Sequence, residues 1–152
     1  MPKNTGKTAV PTTAVAEDLA APIATMSVGD LVRPQTGEAL SIFAVGFGGA
    51  AAVMAAAPKP VAATMSWGPG AGWMREIVIW NLGTLVGLVG ARNADEEVKR
   101  GLVRGYTVTS ALFAINHFAS ALRSPRAVGH WATGLMNVGA VVTGVAALTR
   151  SK

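Results

Sequence analysis

His117 is the residue with the most chemistry to offer, because it lies inside a stretch that is otherwise almost wholly apolar, ALFAINHFASAL. An ionisable side chain in such a setting is costly and is a functional candidate by default. Its ring can donate, accept, carry a proton or bind a metal. Glu76 is its natural partner in sequence terms, since a carboxylate fixes an imidazole tautomer or stabilises the protonated ring. Three amides, Asn81, Asn116 and Asn137, sit inside or beside other apolar stretches. Glu76, Asn81, Asn116, His117 and Asn137 therefore form the candidate ligand-binding set. The other histidine, His130, stands at the head of an apolar stretch and is expected to be interfacial and solvated, together with Arg75, Trp73 and Trp131.

Several chemistries can be weighed against these residues. A b-type haem needs axial ligands that face each other, and His117 and His130 are expected at different depths. Copper could use the two histidines with Met74 or Met136, but the methionines are not clustered. No metal site is therefore expected, and no cofactor follows from the residues. Glu76 and His117 could act as an acid–base pair, yet nothing else in the sequence supports a reaction, and the chain reads as non-catalytic. The nucleotide-binding, zinc-protease and serine-hydrolase motifs GxxxxGK[ST], GxGxxG after a strand, HExxH and GxSxG are not found. There is no cysteine, which excludes a disulfide framework and a thiolate site.

The elements that must position these residues follow from the charge pattern. Charged residues make up 14% of the 152-residue chain, where a soluble domain usually has about a quarter. Nearly all of that charge falls between or outside four apolar stretches, at about 39–57, 73–91, 105–122 and 130–149. A helix needs about 17 to 25 residues to cross the hydrocarbon. None of the four stretches shows the polar face of an amphipathic bundle helix. The expected fold is all-α: an integral membrane four-helix bundle over 39–152, preceded by an irregular arm over 1–38. Lys3 and Lys7 are not followed by an apolar run, so the arm does not read as a signal peptide. Pro58 and Pro60 are expected to end the first helix, and 67–72 (WGPGAG) to form a turn. Residues 26–32 suit a short helix or a segment lying along the membrane.

Orientation follows from Lys and Arg. With both termini cytoplasmic, nine lie inside (Lys3, Lys7, Arg33, Arg92, Lys99, Arg100, Arg104, Arg150, Lys152) and four outside (Lys59, Arg75, Arg123, Arg126). The positive-inside rule favours this arrangement. It places Trp67, Trp73 and Trp131 near the outer interface. Asn81 then lies about 9 Å below Arg75, at 1.5 Å per residue, and Asn116, His117 and Asn137 share roughly that depth. The polar groups thus gather in the outer leaflet. Gly83 and Gly87 form a GxxxG pair, expected to pack helices within the chain; Glu76, Trp80, Gly83, Gly87 and Gly90 share a face expected to point into the protein.

The basic excess, a net +5, flanks apolar segments. Lipid headgroups rather than nucleic acid are therefore the expected partner, alongside other membrane subunits or further copies of the chain. The look of the chain, four short Gly/Ala-rich spans with isolated His, Asn and Trp, is similar to small bacterial four-helix membrane proteins of the DoxX-like kind. The bias to Ala, Val, Gly and Arg would suit a bacterial inner membrane. Two functions are expected from these residues. The first is a non-catalytic accessory or assembly subunit of a larger membrane complex. The second is outer-leaflet binding or modification of a lipid, quinone or isoprenoid around His117. The topology has a direct check: tags on both termini should resist protease in sealed right-side-out vesicles, and digestion of either tag would reverse the orientation.

Overall fold

The computed structural model describes residues 26–32, 34–67 and 71–150; the arm up to residue 25 lies outside the described residues. Among the described residues six helices follow in order: α1 (Val28–Val32), α2 (Thr36–Ala56), α3 (Pro58–Ala63), α4 (Ala71–Gly90), α5 (Glu96–Arg123) and α6 (Val128–Arg150). No strand occurs among the described residues. The fold is all-α, and α2, α4, α5 and α6 are its four long helices.

Local chemistry accounts for the helix ends. Ser27 donates through its backbone N–H and its hydroxyl to the Asp30 carboxylate, and Asp30 N–H donates back to Ser27 Oγ. These bonds start α1 and hold the Asp30 carboxyl below the usual aspartate range. Glu38 accepts from the Gln35 backbone N–H at 2.6 Å, half of a capping box at the start of α2. Asp95 precedes α5 in an extended conformation, with Glu96 and Glu97 in the first turn, where the helix dipole favours negative charge. Arg100 donates to the Leu148 carbonyl at 3.2 Å and so satisfies one of the last acceptors of α6.

The structure departs from expectation in three places. Pro58 and Pro60 do not simply stop α2: after a break at Ala57 they open a new short helix, α3, with Pro58 at its first position. A proline there loses no hydrogen bond. α5 is longer than the apolar stretch expected at about 105–122, because it starts at Glu96 and runs unbroken for 28 residues. Finally, two helices rather than four, α2 and α6, are long and apolar enough to cross a membrane by length and composition. Arg75, Glu76 and Asn81 dilute α4. Asn116, His117 and the charged first turns dilute α5.

Packing divides the molecule into two pairs. α5 and α6 form the closest contact, α4 packs along α2, and α2 touches both α5 and α6, whereas α4 scarcely reaches either. At the end where α2 and α5 begin, Leu40, Phe43, Leu88, Val103 and Ala147 close a dry core, with Tyr106 between Phe43 and Phe47. Thr36 Oγ1 donates to Glu96 across the same end. Away from this core the burial pattern is inverted: Ile79, Val86, Leu112, Ile115, Leu135 and Val142 are each more than 60% exposed.

Glycine lets α5 and α6 approach. A Cβ at Gly134 would stand 2.9 Å from the Phe118 ring, and one at Gly144 would overlap Thr107 Oγ1. Gly83 and Gly87 behave differently. An added Cβ at either meets nothing within 4 Å, so the packing expected of them within the chain is not made. The buried face of α4 is instead Met74, Asn81, Thr84 and Leu88, and Glu76 and Trp80 lie off it. Gly144→Leu should therefore lower unfolding stability in mixed micelles by about 1–3 kcal/mol, while Gly83→Leu should leave the unfolding curve of the monomer in place.

Candidate functional site

At the end opposite the dry core, the α2–α4 link meets the α5–α6 turn. The link is held by a short ladder. Gly129 N–H donates to the Thr64 carbonyl at 3.0 Å. A Cβ at Gly129 would stand 2.9 Å from that oxygen, so the approach requires glycine. Ser66 then reaches His130 twice, with its backbone N–H 3.0 Å and its Oγ 2.9 Å from Nε2. Trp67 follows, its indole N–H donating to Ser120 Oγ at 3.2 Å. The Trp67 ring lies 4.9 Å from the His117 centroid and 4.8 Å from that of His130, with Trp73 edge-on at 5.6 Å.

The two histidines meet. His117 Nδ1 and His130 Nδ1 are 3.1 Å apart. This corrects the expectation that they lie at different depths and that His130 is solvated: His130 is 0% exposed. The cause is the tight α5–α6 turn through Pro125, which folds the two rings to one level. It also displaces Glu76 as the partner of His117. Asn116 does not join the cluster either. It is exposed, because one residue of helix rotates it about 100° from His117. Trp131 donates its indole N–H to the Pro125 carbonyl at 3.2 Å, and its ring lies tilted beside Phe118 at 6.0 Å.

His117 also lines a cavity of about 670 Å³ bounded by α2, α4, α5, α6 and the α2–α4 link. It exists because α4 stands off from α5 and α6. Its walls are largely apolar, from Phe43, Phe47, Ile77 and Phe113 among others, with Glu76, Asn81, Ser110 and Asn137 as polar points. Exposed lining residues from α4 (Glu76, Trp80) and from α5 and α6 (Phe113, Met136) put the mouth between those helices. Asn137 spends its N–H on the Thr133 carbonyl at 2.9 Å, within its own helix. Asn81 does not. Its side chain is only 6% exposed, yet it has no hydrogen-bond partner among the described residues. Since no fully enclosed side-chain polar atom among the described residues lacks a partner, the Asn81 amide is open to the cavity it lines. Of the candidate set, then, Glu76, Asn81, His117 and Asn137 line one cavity, and Asn116 stands outside it.

Sequence reasoning missed Ser66 and placed Trp67 only near the outer interface, not against the two histidine rings. Trp67 carried a signal, an aromatic residue immediately before Gly-Pro-Gly, and Ser120 lies one helical turn from His117. Among the described residues no three His, Asp or Glu side chains gather as a metal site. No known family, curated protein or solved structure matches the chain.

A double-mutant cycle measures the histidine contact. His117→Phe and His130→Phe should be coupled by about 1 kcal/mol in unfolding stability, the usual net value of one hydrogen bond. Strict additivity would mean the bond is not made.

Proposed function

We propose that this protein is a multi-pass membrane protein that holds a lipophilic small molecule in the cavity beside His117. The observation that carries the reading is Asn81: a nine-tenths buried amide with no partner among the described residues, facing a large apolar cavity. An amide that faces an apolar cavity keeps its hydrogen-bonding groups available to a bound head group. Small-molecule sites have this form, an apolar cleft of about 300–1,000 Å³ with a few convergent polar groups.

The membrane setting rests on the inverted burial. An outward surface of Ile, Leu and Val on α4, α5 and α6 suits lipid and would be an aggregation liability in water. On this reading all four long helices cross. The first turns of α4 lie at the interface, where Arg75 and Glu76 can reach headgroups, and the charged N-terminal third of α5 projects on the cytoplasmic side. The excess of basic residues near the termini supports that orientation. The cavity mouth, between α4 and the α5–α6 pair, then opens sideways to the outer leaflet, where a lipophile is already concentrated.

A second reading, the accessory subunit, is favoured by the bare Gly83/Gly87 face of α4. Small residues of this kind let another helix approach closely. The two readings meet on α4, since the Gly83/Gly87 face also carries Glu76 and Trp80 at the cavity mouth, and a partner helix there would border the opening.

Native mass spectrometry of protein purified in mild detergent tests the first reading. The wild type should carry a bound lipophile. Gly46→Phe should lose it, because Gly46 lines the cavity and a Cβ there meets nothing within 4 Å, which leaves the ring to occupy cavity space. Equal cargo on both proteins, or none on the wild type after reconstitution with native lipid extract, would overturn the reading.

A further inference from the structure

We propose that the chain of contacts from Ser66 through His130 to His117 fixes the tautomer of both rings. The Nε2–H of His117 is thereby turned to the cavity as a hydrogen-bond donor, and the occupant is a neutral lipophile with an oxygen that accepts it, a carbonyl compound being the simplest. The inference rests on the reading of the cavity as a binding site and specifies what the site selects.

The argument starts from a group whose role is not negotiable. A backbone N–H can only donate. Ser66 N–H points at His130 Nε2 at 3.0 Å, so that nitrogen is an acceptor and carries no proton. A neutral imidazole has one N–H, and in His130 it must be on Nδ1. Nδ1 faces His117 Nδ1 at 3.1 Å, so His130 donates and His117 accepts. His117 must then carry its own proton on Nε2. The ring lines the cavity, and Nε2 has no partner among the described residues. A protonated imidazolium at either position would set two N–H groups head to head, at Ser66 or between the rings. The pair is therefore held neutral by its geometry.

The remaining polar groups narrow the occupant further. Asn81 offers an amide from the facing helix that can donate to the same oxygen through its NH2, and Ser110, 2% exposed, also lines the wall. Among the described residues no Lys or Arg lines the cavity, and Glu76 does, so an anionic head group finds repulsion and no counter-charge. Trp67, packed on both rings, closes the site on the link side and holds the ring planes. His130 and Ser66 are positioning residues here; His117 and Asn81 are the groups that touch the occupant.

The test uses three probes of one shape: 2-acetonaphthone, 2-ethylnaphthalene and 2-naphthoate. Binding is read by tryptophan quenching in micelles and corrected for partition into empty micelles. The ketone should bind about tenfold tighter than the hydrocarbon, the usual value of one buried hydrogen bond, and the carboxylate more weakly than the ketone. In His130→Leu the ketone preference should fall to about one. His130→Asn, whose amide N–H can stand in for Nδ1–H, should restore it. Nitrogen-15 shifts of labelled histidine report the tautomer without any ligand, and His117 of the wild type should show its proton on Nε2. A proton on Nδ1 of His117, or a ketone preference unchanged in His130→Leu, would overturn the proposal. Equal binding of ketone and hydrocarbon to the wild type would sink the donor inference and leave the binding site standing. Failure of all three probes to bind would remove both. Should His130→Leu not fold, the wild-type shifts and His130→Asn still decide.

Discussion

How closely α5 and α6 approach one another sets everything at the functional end of this protein. Gly134 and Gly144 remove the side chains that would hold the helices apart, against Phe118 and Thr107. With the axes that close and the connecting turn that short, His117 and His130 have no course but to meet. Their contact consumes one nitrogen of each ring. Ser66 takes the second nitrogen of His130, and the one group left over faces the cavity.

The second constraint is the uneven packing of α4. It lies along α2 but stands clear of α5 and α6, which opens space in the half of the bundle that contains the histidines. The other half is closed by Leu40, Phe43, Leu88 and Val103. A cavity therefore has a floor at the dry core, a polar wall at the α2–α4 link and a side mouth. Its shape follows from apolar packing, and its chemistry from a handful of hydrogen-bonding groups that packing has left without protein partners.

Much of this was legible from residue types. Four long helices followed from apolar stretches bounded by charge and proline, and their extents agree with those stretches to within a few residues, α5 excepted. His117, Asn81 and Glu76 were identifiable because polar groups are conspicuous where apolar ones prevail. The pairings were not legible. Glu76 was the better electrostatic partner for His117, yet His130 holds it, because turn geometry rather than charge decides which rings come within 3.1 Å. Asn116 was indistinguishable from its neighbour in sequence and lies on another face. Gly83 and Gly87 matched a packing motif, while the glycines that pack are Gly134 and Gly144 on α6.

The sequence by itself determined the helical class, the segregation of charge from apolar surface, and the small set of side chains able to do chemistry in apolar surroundings. These depend on local composition and on periods of a few residues. Only the tertiary structure decided which of those side chains are spent on one another and which remain open. That depends on contacts such as Ser66 with His130, 64 positions apart. His117 entered as an ionisable residue in an apolar stretch; the fold made it an oriented donor by occupying its other nitrogen.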